Sequence, residues 1–556
     1  MKLMNEILIF SKLSIFPAGK MSYQIKPLNL KKKRMNRITF TTILLVFSNF
    51  SFGQIIQSHI VREQVLDQSF NHALIGSVNN RLLGFSEAKD VMNIDVYDSD
   101  SLNLLFREQI QLVENDKYDL EIQGVYRIRD QFKLLATGFS VSTNQFAVFI
   151  YSIQENGKLS QKFQRTLFAD KPKADLTVLN NVQTSSDNST LLVHVAFVND
   201  YENYVDHHVC VYDENLTNLF KTDYTSFPKS TVKEKYLLSY CNGTDHLYEL
   251  KQEVIYNKSI KKYQTEVRLR KYDFKGIQTI HTQTLKFGDG FLLADIRMRE
   301  TDDTLQLFAS LLGSSKKEIT GIRGVYAAKF NPDLSIKYSK SQAFSPATKA
   351  KSLRGYENAG ELDVPLLYGL NNYFTDSKGN NYLLYERTSQ TVSSGLTEFY
   401  YGSVIAVKIN REGTVEWETF IAKSQFFKEK GIPIFIVLPN VAFSLPFAIR
   451  LSKDSRQYLS FKPMMKNDEL YLIYNDNPVN EGKTMVQARE NMININQSVP
   501  FVIHLSATGK VEYQIQKNLK IGAENQRIIY SVLEGTTLFT LRDSGKKEVL
   551  QRITFE

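Results

Sequence analysis

A pattern of short strands returns eight times between residues 81 and 556, and it limits the fold more than any other feature of this 556-residue chain. Each unit opens on an apolar strand, as in 81–85, 133–138, 191–197, 246–250, 305–309, 382–385, 470–474 and 537–541. A polar turn leads to a second strand that often ends in an aromatic followed by Asp or Asn, and a further turn leads to a third. The last apolar positions of the second strands are Tyr97, Tyr151, Tyr212, Tyr272, Phe330, Ile409, Leu505 and Ile553, at steps of 54, 61, 60, 58, 79, 96 and 48 residues. Gly157, Gly276, Gly413 and Gly509 follow at the turns, where a tight hairpin needs positive φ.

A period near 60 with about four strands matches one blade of a β-propeller. No helical periodicity of comparable extent competes with it. The expectation is an all-β fold of eight blades, or seven if one hairpin is miscounted, with two stacked sandwiches as the other architecture. The long steps imply insertions at about 345–372 and 424–500 within a single domain covering 54–556. The last repeat stops after its third strand, residues 547–555, and the strand 55–61 belongs to no complete repeat. Pairing these two would close the ring and remove the open sheet edges.

The formal charge of +9 suggests a nucleic-acid binder until it is located: residues 1–53 carry nine basic side chains and one acid. The body is nearly neutral and offers no electrostatic footprint for a phosphate backbone. The basic run 31–37, the apolar stretch 38–47 and the small residues Ser51 and Gly53 before Gln54 form the pattern of a secretory signal peptide. Ten apolar residues are too few to span a bilayer, which needs about 20; an uncut anchor is the alternative. Residues 1–34 are unusual for a leader, which points to Met35 (or Met21) as the start, and no cysteine near the cleavage site suits a lipoprotein anchor. The mature chain is expected in the periplasm, since no sorting module follows the last strand, with the cell surface as alternative. Cys210 and Cys241, the two cysteines, are either bridged in that oxidising compartment or two buried thiols.

Asp376-Ser-Lys-Gly-Asn380, a strand at 381–385, a second strand at 402–410 and Gly413-Thr-Val-Glu-Trp417 resemble one blade of the degenerate propellers found in exported bacterial proteins. The resemblance is clear in that repeat and eroded in the other seven. It implies fold and export, and no activity, because the class has none in common.

Catalytic signatures such as Gly-x-Ser-x-Gly, His-Glu-x-x-His, the P-loop and cysteine-rich zinc patterns are absent from the sequence. Asp206-His207-His208 is the densest group of metal-ligand types, read as a solvated turn because neighbours on a strand face opposite ways. Asn475, Asp476 and Asn480 sit in an oxygen-rich stretch after the strand 470–474. They form the candidate ligand loop, able to offer calcium part of a shell or to be an Asx-type turn. The single Trp417 reads as blade packing. Residues 432–449 are free of charge, yet Pro433, Pro439 and Pro446 forbid a regular helix. Phe435, Leu438 and Phe443 are its candidate interface residues.

The reading that follows is an exported, non-enzymatic binding or scaffold module of the cell envelope with a protein partner, no nucleic acid, no membrane span in the mature chain and no assigned cofactor or metal. Two others stay open: a propeller glycosidase or lyase, and a subunit of a membrane-associated complex docking through 431–450.

Overall fold

Eight antiparallel sheets, seven of four strands and one of five, follow one another along the chain in the computed structural model, which describes residues 56–556 apart from 431–457 and short loop segments. Blade 1 is built from Asn71–Val78, Arg81–Ala88, Val91–Asp98 and Leu104–Gln109, and blades 2 to 7 repeat this meander. Blade 8 takes three strands from the C-terminus, Val532–Glu534, Thr537–Ser544 and Lys547–Phe555. Its fourth is Ser58–Val65, antiparallel to Lys547–Phe555 with Ser58 opposite Phe555 and Val65 opposite Val549. The ring therefore closes through its two terminal strands, and the blade number is eight.

The packing shows why the repeat has its period. Successive residues on a strand point to opposite faces, and in a ring both faces of every blade meet a neighbour. Leu82 packs toward blade 8 while Leu83 and Phe85 pack toward blade 2. One apolar core fills each of the eight blade junctions, the last joining Leu74, Leu82 and Tyr97 of blade 1 to Phe539, Leu541 and Leu550 of blade 8. The eight aligned positions fall one per blade, all on the third strand and all facing the preceding blade. In blades 1 to 6 a β-bulge against the fourth strand lies at or beside that position, so a large side chain there fills the space the bulge opens.

The first strand read from the sequence is the second strand of each blade. The innermost strand precedes it, and these inner strands touch one another around the axis: Asp119–Ile128 meets Thr177–Thr184, which meets Val232–Asn242. They escape a period-2 reading because bulges interrupt them in blades 1, 2, 4, 5 and 6. Residues 345–372 hold the helix Pro346–Ser352 (α1) and the start of Tyr368–Thr375, the inner strand of blade 6. Residues 424–500 hold Gln425–Lys430, a fifth strand on blade 6, and both inner strands of blade 7, Lys462–Lys466 and Glu469–Asp476.

Neighbouring blades also interlock at their rims through the predicted glycine turns. Gly413 and Gly509 have φ of 79° and 80°. The ring of Tyr338 in blade 5 lies against Gly413 of blade 6, and Trp417 of blade 6 lies against Gly509 of blade 7. Trp417 Nε1 donates to Ala507 O at 2.9 Å and Thr419 Oγ1 to Gly509 O at 2.7 Å. Trp417 is thus half-buried rim packing rather than interior core. A Cβ on Gly509 would come within 2.8 Å of the indole, whereas Gly482, also left-handed at φ 71°, has nothing within 4 Å. Gly509→Ala is expected to cost about 1–3 kcal/mol and Gly482→Ala about 1 kcal/mol or less, read from denaturant unfolding; equal losses would contradict the interlock.

Candidate functional face

In a four-stranded meander, the connection between strands two and three leaves the same end of the sheet as the connection to the next blade. All the long connections of this ring belong to those two types: 344–367, 431–461, 477–498 and 516–531, set around blades 5 to 8. The opposite face carries the short turns, such as Asn79-Asn80 and Asn467-Asp468.

The connection 344–367 is fastened to the ring. Helix α1 starts at Ser345, whose side chain accepts from Thr348 N, a capping bond at the exposed first turn. Ser345 also donates from N and Oγ to the Glu418 carboxylate at 3.0–3.1 Å. Further along, Asp363 accepts from Thr320 Oγ1 at 2.6 Å and pairs with Arg323 and Lys349, each at 3.4 Å. Burial would raise the Asp363 pKa, but Thr320 and Arg323 outweigh it and hold it low.

The predicted ligand residues are brought together, but as a closed knot. Asn475, Asp476 and Asn480 are fully buried. Asp476 forms an ion pair with Arg489 and accepts from Tyr474 Oη, Asn477 N and Asn480 Nδ2. Burial raises its pKa, and Arg489 is the largest opposing influence. Asn480 Oδ1 accepts from Glu490 N at 2.8 Å, and only Asn475 Oδ1 of the three amide and carboxylate groups is left without a hydrogen bond among the described residues. Calcium needs six to eight oxygens, and this donor set does not fit it. Among the described residues no group of three or more His, Cys, Asp or Glu side chains is placed to hold a metal.

Asn475 instead belongs to a buried polar chain that sequence reading missed. Asn371 Nδ2 and Ser460 Oγ donate to Glu386 at 2.8 and 2.7 Å, and Lys423 pairs with Glu386 at 2.6 Å. Lys423 also donates to Gln425, which donates to Asn475 O at 2.7 Å. Asn475 donates to Gln526 O, Gln526 to Gln551, and Gln551 to Glu63 on the closing strand. The chain thus runs from blade 6 to the seam of the ring. Burial lowers the Lys423 pKa against the pull of Glu386.

At the seam itself His72 of blade 1 meets Glu548 of blade 8 at 2.6 Å, and Arg527 bridges Glu548 and Asp543 at 2.6 and 2.5 Å. Asp95 is held by Arg107, Tyr97 and Ser86. Removing one partner of such a pair leaves a buried uncompensated charge, a loss of about 3–5 kcal/mol.

The remaining candidates lie elsewhere. His207 and His208 are on the strand Tyr204–Asp213, not in a turn, and face opposite ways. His207 meets His194 at 3.3 Å and stacks on Tyr224, whereas His208 pairs with Asp223 at 2.7 Å. Tyr224 and Tyr272 both donate to Glu249, bridging blades 3 and 4. Cys210 is a free, buried thiol whose pKa burial pushes up to about 11. Cys241 is on the inner strand of blade 4, and its side chain lies outside the described residues, as do Phe435, Leu438 and Phe443.

No protein-family model matches the sequence, and no curated protein matches it. Solved structures match at low similarity. The structure of the Dos1 propeller has 7% identity and a TM-score of 0.37, covering 90% of this chain and 95% of that one. The β-propeller domain of the Trilobed protease from Pyrococcus furiosus has 9% identity and a TM-score of 0.28, covering 78% and 92%. The acylaminoacyl peptidase of Pyrococcus horikoshii has 9% identity and a TM-score of 0.31, covering 77% of this chain; the match spans about half, 49%, of the peptidase.

Burial pushes the His194 imidazole down from 6.5 to about 3 and that of His207 to about 4. Both are neutral in the folded chain, while the unfolded chain takes up their protons below about pH 6.5. Their contribution is therefore intact above pH 6.5 and lost as the pH falls toward 4. Thermal unfolding between pH 7.5 and 4 is expected to fall more steeply for the parent than for a His194→Leu, His207→Phe double variant; parallel profiles would contradict it.

Proposed function

We propose that this chain is an exported, non-enzymatic binding module of the cell envelope that holds a protein partner on the face carrying its long connections. The observation that carries this reading is apolar exposure without a packing reason. Leu366 and Leu367, on the connection into blade 6, are 44% and 43% exposed; Val479 and Ile493, on the long loop of blade 7, are 48% and 65% exposed. These four sit on connections that buried ion pairs and capping bonds hold in place, so the surface is pre-shaped and little ordering entropy opposes association. Apolar side chains rimmed by polar groups on a fixed surface mark a protein contact.

The leader pattern supports export, and the periplasm is the compartment this reading assigns. The strand Gln425–Lys430 precedes the uncharged segment 431–450, which this reading assigns as a further contact. An enzymatic reading draws less support: the buried carboxylates Glu386, Asp476 and Glu548 are each matched by a cation, Lys423, Arg489 or Arg527. That arrangement holds a framework rather than leaving an acid and a base facing substrate.

The test replaces Leu366, Leu367, Val479 and Ile493 with serine and compares capture of envelope proteins with the parent and with a control in which Leu104, Leu105 and Phe106, exposed on the outer strand of blade 1, become serine. Partners captured by the parent and the control, and lost by at least about tenfold in the quadruple variant, are expected. Equal capture by all three would refute the assignment of the face.

A further inference from the structure

The inner wall of the ring is thinnest where it closes. The innermost strand of blade 8, Val532–Glu534, has three residues, against eight and ten for the inner strands of blades 1 and 2. Beside it a cavity of about 480 Å³ opens between blades 8, 1 and 2, on the short-turn side of the ring. That volume lies in the range of small-molecule sites, roughly 300–1,000 Å³.

The walls have a definite chemistry. Ile75, Val125, Phe132 and Leu533 supply an apolar part of the lining, and Arg127 and Glu534 add one charge each, from blades 2 and 8. Gly76 keeps the lining open at a bulge of the inner strand, since a Cβ there would lie 2.8 Å from the Phe132 ring. Arg127 is pinned by its own bonds, Nη1 to Ser77 O at 3.1 Å and Nε to Arg129 O at 3.0 Å. Among the described residues neither Arg127 nor Glu534 forms an ion pair, with the other or with any other group. A fixed guanidinium and a separate carboxylate in an apolar lining complement a ligand that carries a carboxylate, an ammonium and an apolar body.

We propose that this cavity binds a free apolar amino acid of the size of phenylalanine, its carboxylate on Arg127, its ammonium toward Glu534 and its side chain over Phe132. The site is separate from the protein-binding face and does not depend on that reading. Displacing water from the apolar lining supplies the affinity, and the two charges select a zwitterion over molecules bearing one charge.

Isothermal titration of the full-length protein at pH 7 would use three probes of one shape: L-phenylalanine, hydrocinnamate (carboxylate only) and phenethylamine (ammonium only). L-phenylalanine is expected to bind at least about tenfold more tightly than either analogue. Arg127→Gln should weaken L-phenylalanine and hydrocinnamate by roughly tenfold or more and spare phenethylamine, while Glu534→Gln should do the reverse for the two analogues. Both side chains are exposed, so the unfolding midpoint of Glu534→Gln should match the parent, and that of Arg127→Gln, which gives up the bond to Ser77 O, should fall by only about 2 °C. No heat with L-phenylalanine, equal binding of all three probes, or variants that bind as the parent does would each overturn the proposal.

Discussion

Everything in this molecule rests on the pairing of Ser58–Val65 with Lys547–Phe555. A blade is apolar on both faces and is stable only between two neighbours. In an open arc the two end blades would each leave one face in water. Closure turns the last exposed pair into the eighth core, Tyr97 and Leu82 against Leu541 and Leu550. The contact between His72, Glu548 and Arg527 reinforces that junction with charge. Outer strands elsewhere in the ring still present free edges, but many carry charges, such as Lys337 and Lys340 on Ile336–Ala343, which discourage further pairing.

Closure also explains where function can reside. A ring of eight interlocked sheets leaves the blade bodies no freedom to vary, so variation goes into the connections. The long ones gather on one face around blades 5 to 8, and the buried chain from Asn371 to Glu63 ties that sector to the seam. Loops anchored in this way can expose Leu366 or Ile493 without the local disorder that such residues would otherwise bring. The short inner strand of blade 8 is a second result of closure, because the blade completed by two chain ends has the thinnest wall at the axis.

The fold was legible because second and third strands are buried on both faces and read as apolar runs, and because Tyr97 and its seven counterparts all face the preceding blade, those of blades 1 to 6 at or beside a bulge. The inner strands were not legible: bulges at Gly76, Gly124 and Asn372 break their alternation. The oxygen-rich stretch at 475–480 was legible as a stretch, but its chemistry depended on Arg489, thirteen residues away, folding back to neutralise Asp476. No spacing rule announces such a return. The two histidines of Asp206-His207-His208 show the same limit, since strand or turn was decided by cross-strand partners at Ala196 and Val195.

Native-state hydrogen exchange tests closure most directly. The account predicts that amides of Ser58–Val65 paired to Lys547–Phe555 exchange only through global unfolding, with the same free energy as the second and third strands of blades 1 to 7. Exchange of Ser58–Val65 at a much lower free energy, with the other blades still protected, would show that the ring holds together without its terminal clasp and would contradict the account.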